Sequence, residues 1–163
     1  MPTPTLTDLE RVVEANPNNA DLRHRLGAHY AQMGMYEQAE RELYRAVSLN
    51  PQAHVARLQL GLLHLTNGDA HRAISTWSAL EALADGDAVK SFKRGLEALI
   101  RDDFTACSRL LNAGIAQNSV NPALNEDMRL ILARLPRRPE PNGNDGGEVL
   151  EVRTDFSLYT TRH

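Results

Sequence analysis

Three glycines, Gly27, Gly61 and Gly95, stand thirty-four residues apart, and their neighbours keep the same interval. Gly34 and Gly68 repeat it, as do Ala39 and Ala73, and Asn16-Pro17 and Asn50-Pro51. A period of this length belongs to a helical hairpin that cannot bury its apolar face alone, so that neighbouring hairpins must stack into a solenoid. The expected fold class is therefore all-α.

The boundaries of the hairpins follow from capping and breaking residues. Thr7-Asp8-Leu9-Glu10 reads as a capping box that opens a first short helix, with Leu9, Val12 and Val13 on one face and Asn16-Pro17 at its end. Asn18 or Asn19 then caps a helix to about residue 33 that carries Leu22, Leu26 and Tyr30, and Gly34 breaks it. A helix over 36–49 carries Ala39, Leu43, Ala46 and Val47. The unit repeats over 53–66 and 69–83, and more loosely over 88–101 and 104–116. Asn121-Pro122 opens a last helix, with Leu124, Met128, Ile131, Leu132 and Leu135 opposite Glu126, Arg129 and Arg134. One apolar and one charged face suit a terminal capping helix.

Leu26, Gly27, Tyr30, Gly34, Tyr36, Ala39, Leu43, Ala46 and Pro51 carry a resemblance to the tetratricopeptide-repeat family. Leu60, Gly61, Gly68, Ala73 and Trp77 continue it, with Leu80 in place of the second small residue. In the third unit Gly95, Phe104 and Leu111 hold, with Cys107 and Gly114 at the small positions. The resemblance covers residues 5–135 and begins with a half-repeat. It implies a solenoid of about three repeats plus a capping helix, and a concave groove that holds an extended peptide or a partner helix.

Along the helix after Pro51, Val55, Leu58, Leu62 and Leu65 form an apolar row apart from the packing face around Leu60, Gly61 and His64. Val89, Phe92, Leu96, Leu99 and Ile100 repeat that row one unit later. By the family resemblance Leu58, Leu62, Leu65, Phe92, Leu96 and Leu99 are expected to line the groove, with His24 and Gln32 on its rim. The alternative is that tight curvature, or the last helix folding back, buries these leucines. Relatives that clamp a partner's terminal carboxylate place lysine and asparagine along this face. Here the positions hold His24, Leu58 and Phe92, then Ala28, Leu62 and Leu96, so a clamp of that kind is not expected.

No catalytic or metal-binding constellation emerges, so the chain reads as a non-enzyme without a cofactor. Cys107 is the single cysteine, which excludes an internal disulfide and suits a reducing, cytoplasmic compartment. None of the six histidines makes the i, i+4 pair that a helical metal site favours. The net charge of -3, with dispersed basic residues, carries no nucleic-acid footprint. No apolar run approaches the roughly twenty residues that span a bilayer, and the N-terminus shows no signal peptide.

After Leu135 the character changes. Residues 136–147 are rich in proline, glycine and asparagine and read as a flexible linker. Residues 148–163 then alternate as a strand does, with Leu150, Val152, Phe156 and Leu158 on one side. The linker spans roughly 20 Å by square-root scaling, enough to bring this segment to its own groove or to a neighbour's. The expected function is a protein-interaction scaffold or adaptor, its groove open to a partner or to the tail itself. Two alternatives remain: a cytoplasmic chaperone for a secretion-system substrate, to which length and repeat count are similar, and a homo-oligomeric self-assembly unit.

Overall fold

The structure is a computed structural model, and it describes residues 4–136. Among these residues the chain forms eight α-helices and no strand. They are α1 (Leu6–Ala15), α2 (Ala20–Gln32), α3 (Tyr36–Leu49), α4 (His54–Thr66), α5 (Ala70–Trp77), α6 (Ala88–Ile100), α7 (Phe104–Gln117) and α8 (Pro122–Arg134). Helices α2/α3, α4/α5 and α6/α7 are the three hairpins, α1 is the half-repeat before them, and α8 follows them. The linker beyond Pro136 and the tail with Leu150, Val152, Phe156 and Leu158 lie outside the described residues.

Short polar side chains start most of the helices. Asn19, Asp69, Asp87, Asp103 and Asn121 each accept a hydrogen bond from a first-turn backbone N–H, satisfying a donor that has no partner inside the helix. The first helix starts two residues before the expected Thr7. Its capping box is Thr5 with Asp8, whose carboxylate accepts from the Thr5 backbone N–H and hydroxyl. The earlier start brings Leu6 onto the core, and Glu10, freed from capping, accepts the Tyr30 hydroxyl proton at 2.6 Å. Gly34 and Gly68 end α2 and α4 with φ of 75° and 82°, a left-handed turn that costs glycine little. The equivalent position in the third hairpin is Asp102, φ 58°; aspartate is among the few other residues that tolerate this region.

The periodic glycines are the holes into which the second helix of each hairpin fits. Each faces a large side chain that itself recurs every thirty-four residues: Leu43, Trp77 and Leu111, all fully buried. A Cβ on Gly27 would lie 2.8 Å from Leu43 Cγ, and one on Gly95 2.6 Å from Leu111 Cδ2. On Gly61 it would overlap the Trp77 indole, whose Nε1 donates to the Leu58 carbonyl at 3.0 Å.

Helix α5 stops at Trp77, short of the expected residue 83, and the chain tightens into a 3-10 turn over Ser78–Ala82. The change falls where Leu80, fully buried, occupies the slot that Ala46 and Gly114 fill in the other hairpins. A side chain of that size does not fit the close helix approach that alanine or glycine permits.

An ion-pair network braces this irregular turn against α6. Lys90 Nζ donates to the Leu83 carbonyl at 2.8 Å and to Asp85 at 2.9 Å, and Lys93 Nζ reaches Glu81 at 2.6 Å and Glu97 at 3.0 Å. Both lysines are buried yet fully paired, the condition under which a buried charge is tolerated. Hydrogen bonds from Arg94 and Lys93 hold the Glu81 carboxyl down at about 2.

His64 stands where the first hairpin has Tyr30, and it is buried. Burial, then the nearby Arg72 guanidinium, push its pKa below the usual 6.5, against weaker opposing pulls from Glu40 and Asp69. Folded His64 therefore binds fewer protons than unfolded His64 just below pH 6.5, so stability falls as pH falls through that region. Urea midpoints should drop from pH 7 to pH 5 in the wild-type chain. The drop should shrink in His64→Gln; an equal drop in both would assign it to other groups.

Candidate functional site

The six residues expected to line an open groove do not share one environment. Leu58, Leu65, Phe92, Leu96 and Leu99 are at most 1% exposed, and only Leu62 retains partial exposure. The five belong to one apolar cluster with Leu124, Met128 and Ile131 of α8. The last helix thus folds over the concave side and covers the second and third hairpins, which corrects the expectation of open leucine rows there. Its apolar stripe needed a surface to bury, and two rows of leucines were the largest one available.

The groove survives over the first hairpin. A cavity of about 350 Å³ lies between α2, α4 and α8. Helix α2 contributes His24, Arg25, Ala28, Ala31 and Gln32; α4 contributes Gln59, Leu62, Leu63 and Thr66; α8 contributes Ala123, Asp127 and Leu130, with Asn121 at its N-cap. Helix α8 therefore presents two neighbouring stripes: 124, 128 and 131 to the core, and 123, 127 and 130 to the cavity.

The repeat register explains why the space is there. His24, Ala28 and Ala31 occupy the positions of Leu58, Leu62 and Leu65 in the second hairpin, and of Phe92, Leu96 and Leu99 in the third. Two methyl groups replace two leucine side chains at each step, so α8 cannot fill the gap against α2. His24 and Gln32, expected on the rim, both line the cavity. His24 Nε2 and Gln59 Oε1 lie 2.7 Å apart, joining α2 to α4 across the floor. Gln32 and Arg25 are exposed, at the cavity's edge.

The α8 residues Asn121, Ala123, Asp127 and Leu130 escaped the sequence reading, because nothing in a single helix says which way it folds back. The alanines at 28 and 31 were the available signal.

The cavity offers amide, imidazole, guanidinium and carboxylate groups around an apolar middle. Among the described residues, no three or more His, Cys, Asp or Glu side chains gather as a metal site. Cys107 is fully buried, and desolvation pushes its thiol up to about 11, so little thiolate exists near neutral pH. No described helix is long and apolar enough to cross a membrane.

Residues 5–59, which span α1 to the first half of α4, match the family model of the tetratricopeptide repeat. No curated protein matches the chain. Two complete hairpins in the same register follow the first, and a domain of this kind is in general a protein-interaction module. Residues 5–59 thus carry the tetratricopeptide-repeat pattern, and the hairpins that follow continue the same all-α helical-repeat fold.

Proposed function

We propose that this chain is a non-catalytic adaptor, and that the cavity between α2, α4 and α8 holds an extended segment of a partner protein. The observation that carries this reading is the pair of alanines, Ala28 and Ala31, where the next two hairpins have leucines that α8 covers. The result is a preformed concavity with an apolar middle and a few convergent polar groups, the usual character of a binding site.

The polar groups on its walls favour an extended segment over a helix, because only an extended backbone has free N–H and C=O groups to meet Gln32, Gln59 or Asn121 while its side chains enter the apolar middle. Apolar burial supplies affinity, on the order of 1.5–3 kcal/mol for each large side chain fully covered. The single buried cysteine suits the cytoplasm as the proposed compartment.

Ala28→Trp fills the cavity from a half-buried position, at little cost to the hairpins. Peptides selected on the wild-type chain from a displayed library should bind this variant at least ~10-fold more weakly, a loss of about 1.4 kcal/mol. Fluorescence anisotropy with labelled peptide measures it. Equal affinity for both chains would place the bound segment elsewhere.

A further inference from the structure

Helix α8 already shows the C-terminal part of this chain covering its own concave face. The cavity lies on the other flank of the same helix, with Leu130 on its wall five residues before Leu135. Twenty-seven residues, 137–163, continue from there beyond the described structure. The stretch up to residue 147 is long enough, at roughly 20 Å for its composition, to turn back along α8. The segment that follows alternates, with Leu150, Val152, Thr154, Phe156 and Leu158 on one side and Glu151, Arg153, Asp155 and Ser157 on the other.

We infer that the cavity's occupant in the free protein is this segment of the same molecule, with Phe156 and Leu158 seated between Ala28, Leu62 and Leu130. Three observations support it. The cavity has an apolar middle between Ala28, Leu62 and Leu130, and the tail offers apolar side chains at alternate positions, the spacing an extended occupant needs. Arg25, at the edge, has no ion-pair partner among the described residues, and the side of the tail that faces away from the cavity's middle carries two carboxylates, Glu151 and Asp155, against the one cation Arg153. The covering would continue the interface that α8 has begun. This inference rests on the cavity being a site for extended segments, and it adds regulation: a partner must displace the tail, so its apparent affinity falls by the fraction of molecules whose cavity is open.

A double-cysteine full-length chain, Ala28→Cys with Leu158→Cys, tests the placement, since the buried Cys107 does not compete. Mild oxidation of a dilute sample should give a cross-linked monomer by mass and non-reducing gel. Absence of the cross-link, or a cross-linked dimer, overturns the inference. A second variant, Phe156→Asp with Leu158→Asp, should bind a library-selected peptide about 10-fold more tightly than the wild-type chain if roughly a tenth of wild-type molecules are open. Equal affinity for the two chains overturns the tail as occupant and leaves the cavity's own role standing. That role fails separately, through a peptide that binds Ala28→Trp as well as it binds wild type.

Discussion

Leu96→Asp should unfold the chain, whereas Leu62→Asp should leave it folded. Both side chains hold the same position in successive repeats, and in the sequence both read as groove residues. Leu96 is fully buried in the cluster that joins α4, α6 and α8. Removing a buried leucine costs about 2–5 kcal/mol through lost transfer energy and the cavity left behind. Burying a carboxylate there with no partner adds several more, or forces it to take up a proton. A domain of this size has roughly 5–15 kcal/mol in total, so the sum is enough to remove most of the folded population. Leu62, by contrast, lines the wall of an open cavity, where a carboxylate keeps much of its water. Its replacement should cost no more than about 1–2 kcal/mol, the range of ordinary partly buried substitutions. Circular dichroism at 222 nm and urea melts compare the two. A Leu96→Asp chain as stable as Leu62→Asp would mean that α8 does not cover the third hairpin.

The same pair shows how far the sequence could be read. Helix positions followed from local chemistry: caps at Asn19, Asp69 and Asn121, and glycines at 34 and 68 whose φ only a turn explains. Each of these acts within a few residues of itself, so periodicity and capping rules reach it. The direction of α8 is not local. It depends on where a helix with an apolar stripe finds the largest uncovered apolar surface, and that surface lies some sixty residues earlier at Leu58 and Leu65. The extra apolar row was legible as an unfilled demand for cover, and the last helix folding back as one way to meet it; nothing local chose that over an open groove. Thr7 failed for a smaller reason. Thr5 and Thr7 each begin a box three residues before an acid, and Glu10 was already claimed by Tyr30 from the next helix. The cavity was partly legible, since Ala28 and Ala31 break a row of leucines, yet its far wall came from α8.

The second large effect falls on the period itself. Gly61→Ala should destabilise the chain, although alanine is the better helix former by about 1 kcal/mol. A Cβ at this position has no room, because the Trp77 indole lies against the glycine and its Nε1 is tied to the Leu58 carbonyl. The atom it meets is part of a rigid ring, so either the hairpin opens or the hydrogen bond breaks. Overpacking of this kind costs about 1–3 kcal/mol, and a lost buried hydrogen bond adds about 1–3. The net loss should be about 1–5 kcal/mol after the helix-propensity gain is subtracted. Gly86→Ala is the control: nothing lies within 4 Å of its added Cβ, and reduced freedom in the unfolded chain should raise stability by up to about 1 kcal/mol. Trp77→Leu restores the side chain that faces the glycine in the other two hairpins. Combined with Gly61→Ala it should cost less than the sum of the single changes, because the alanine methyl no longer meets a ring. Strict additivity in urea melts would show that the glycine and the tryptophan do not act as one packing unit. The period would then have some cause other than the approach of the two helices in each hairpin.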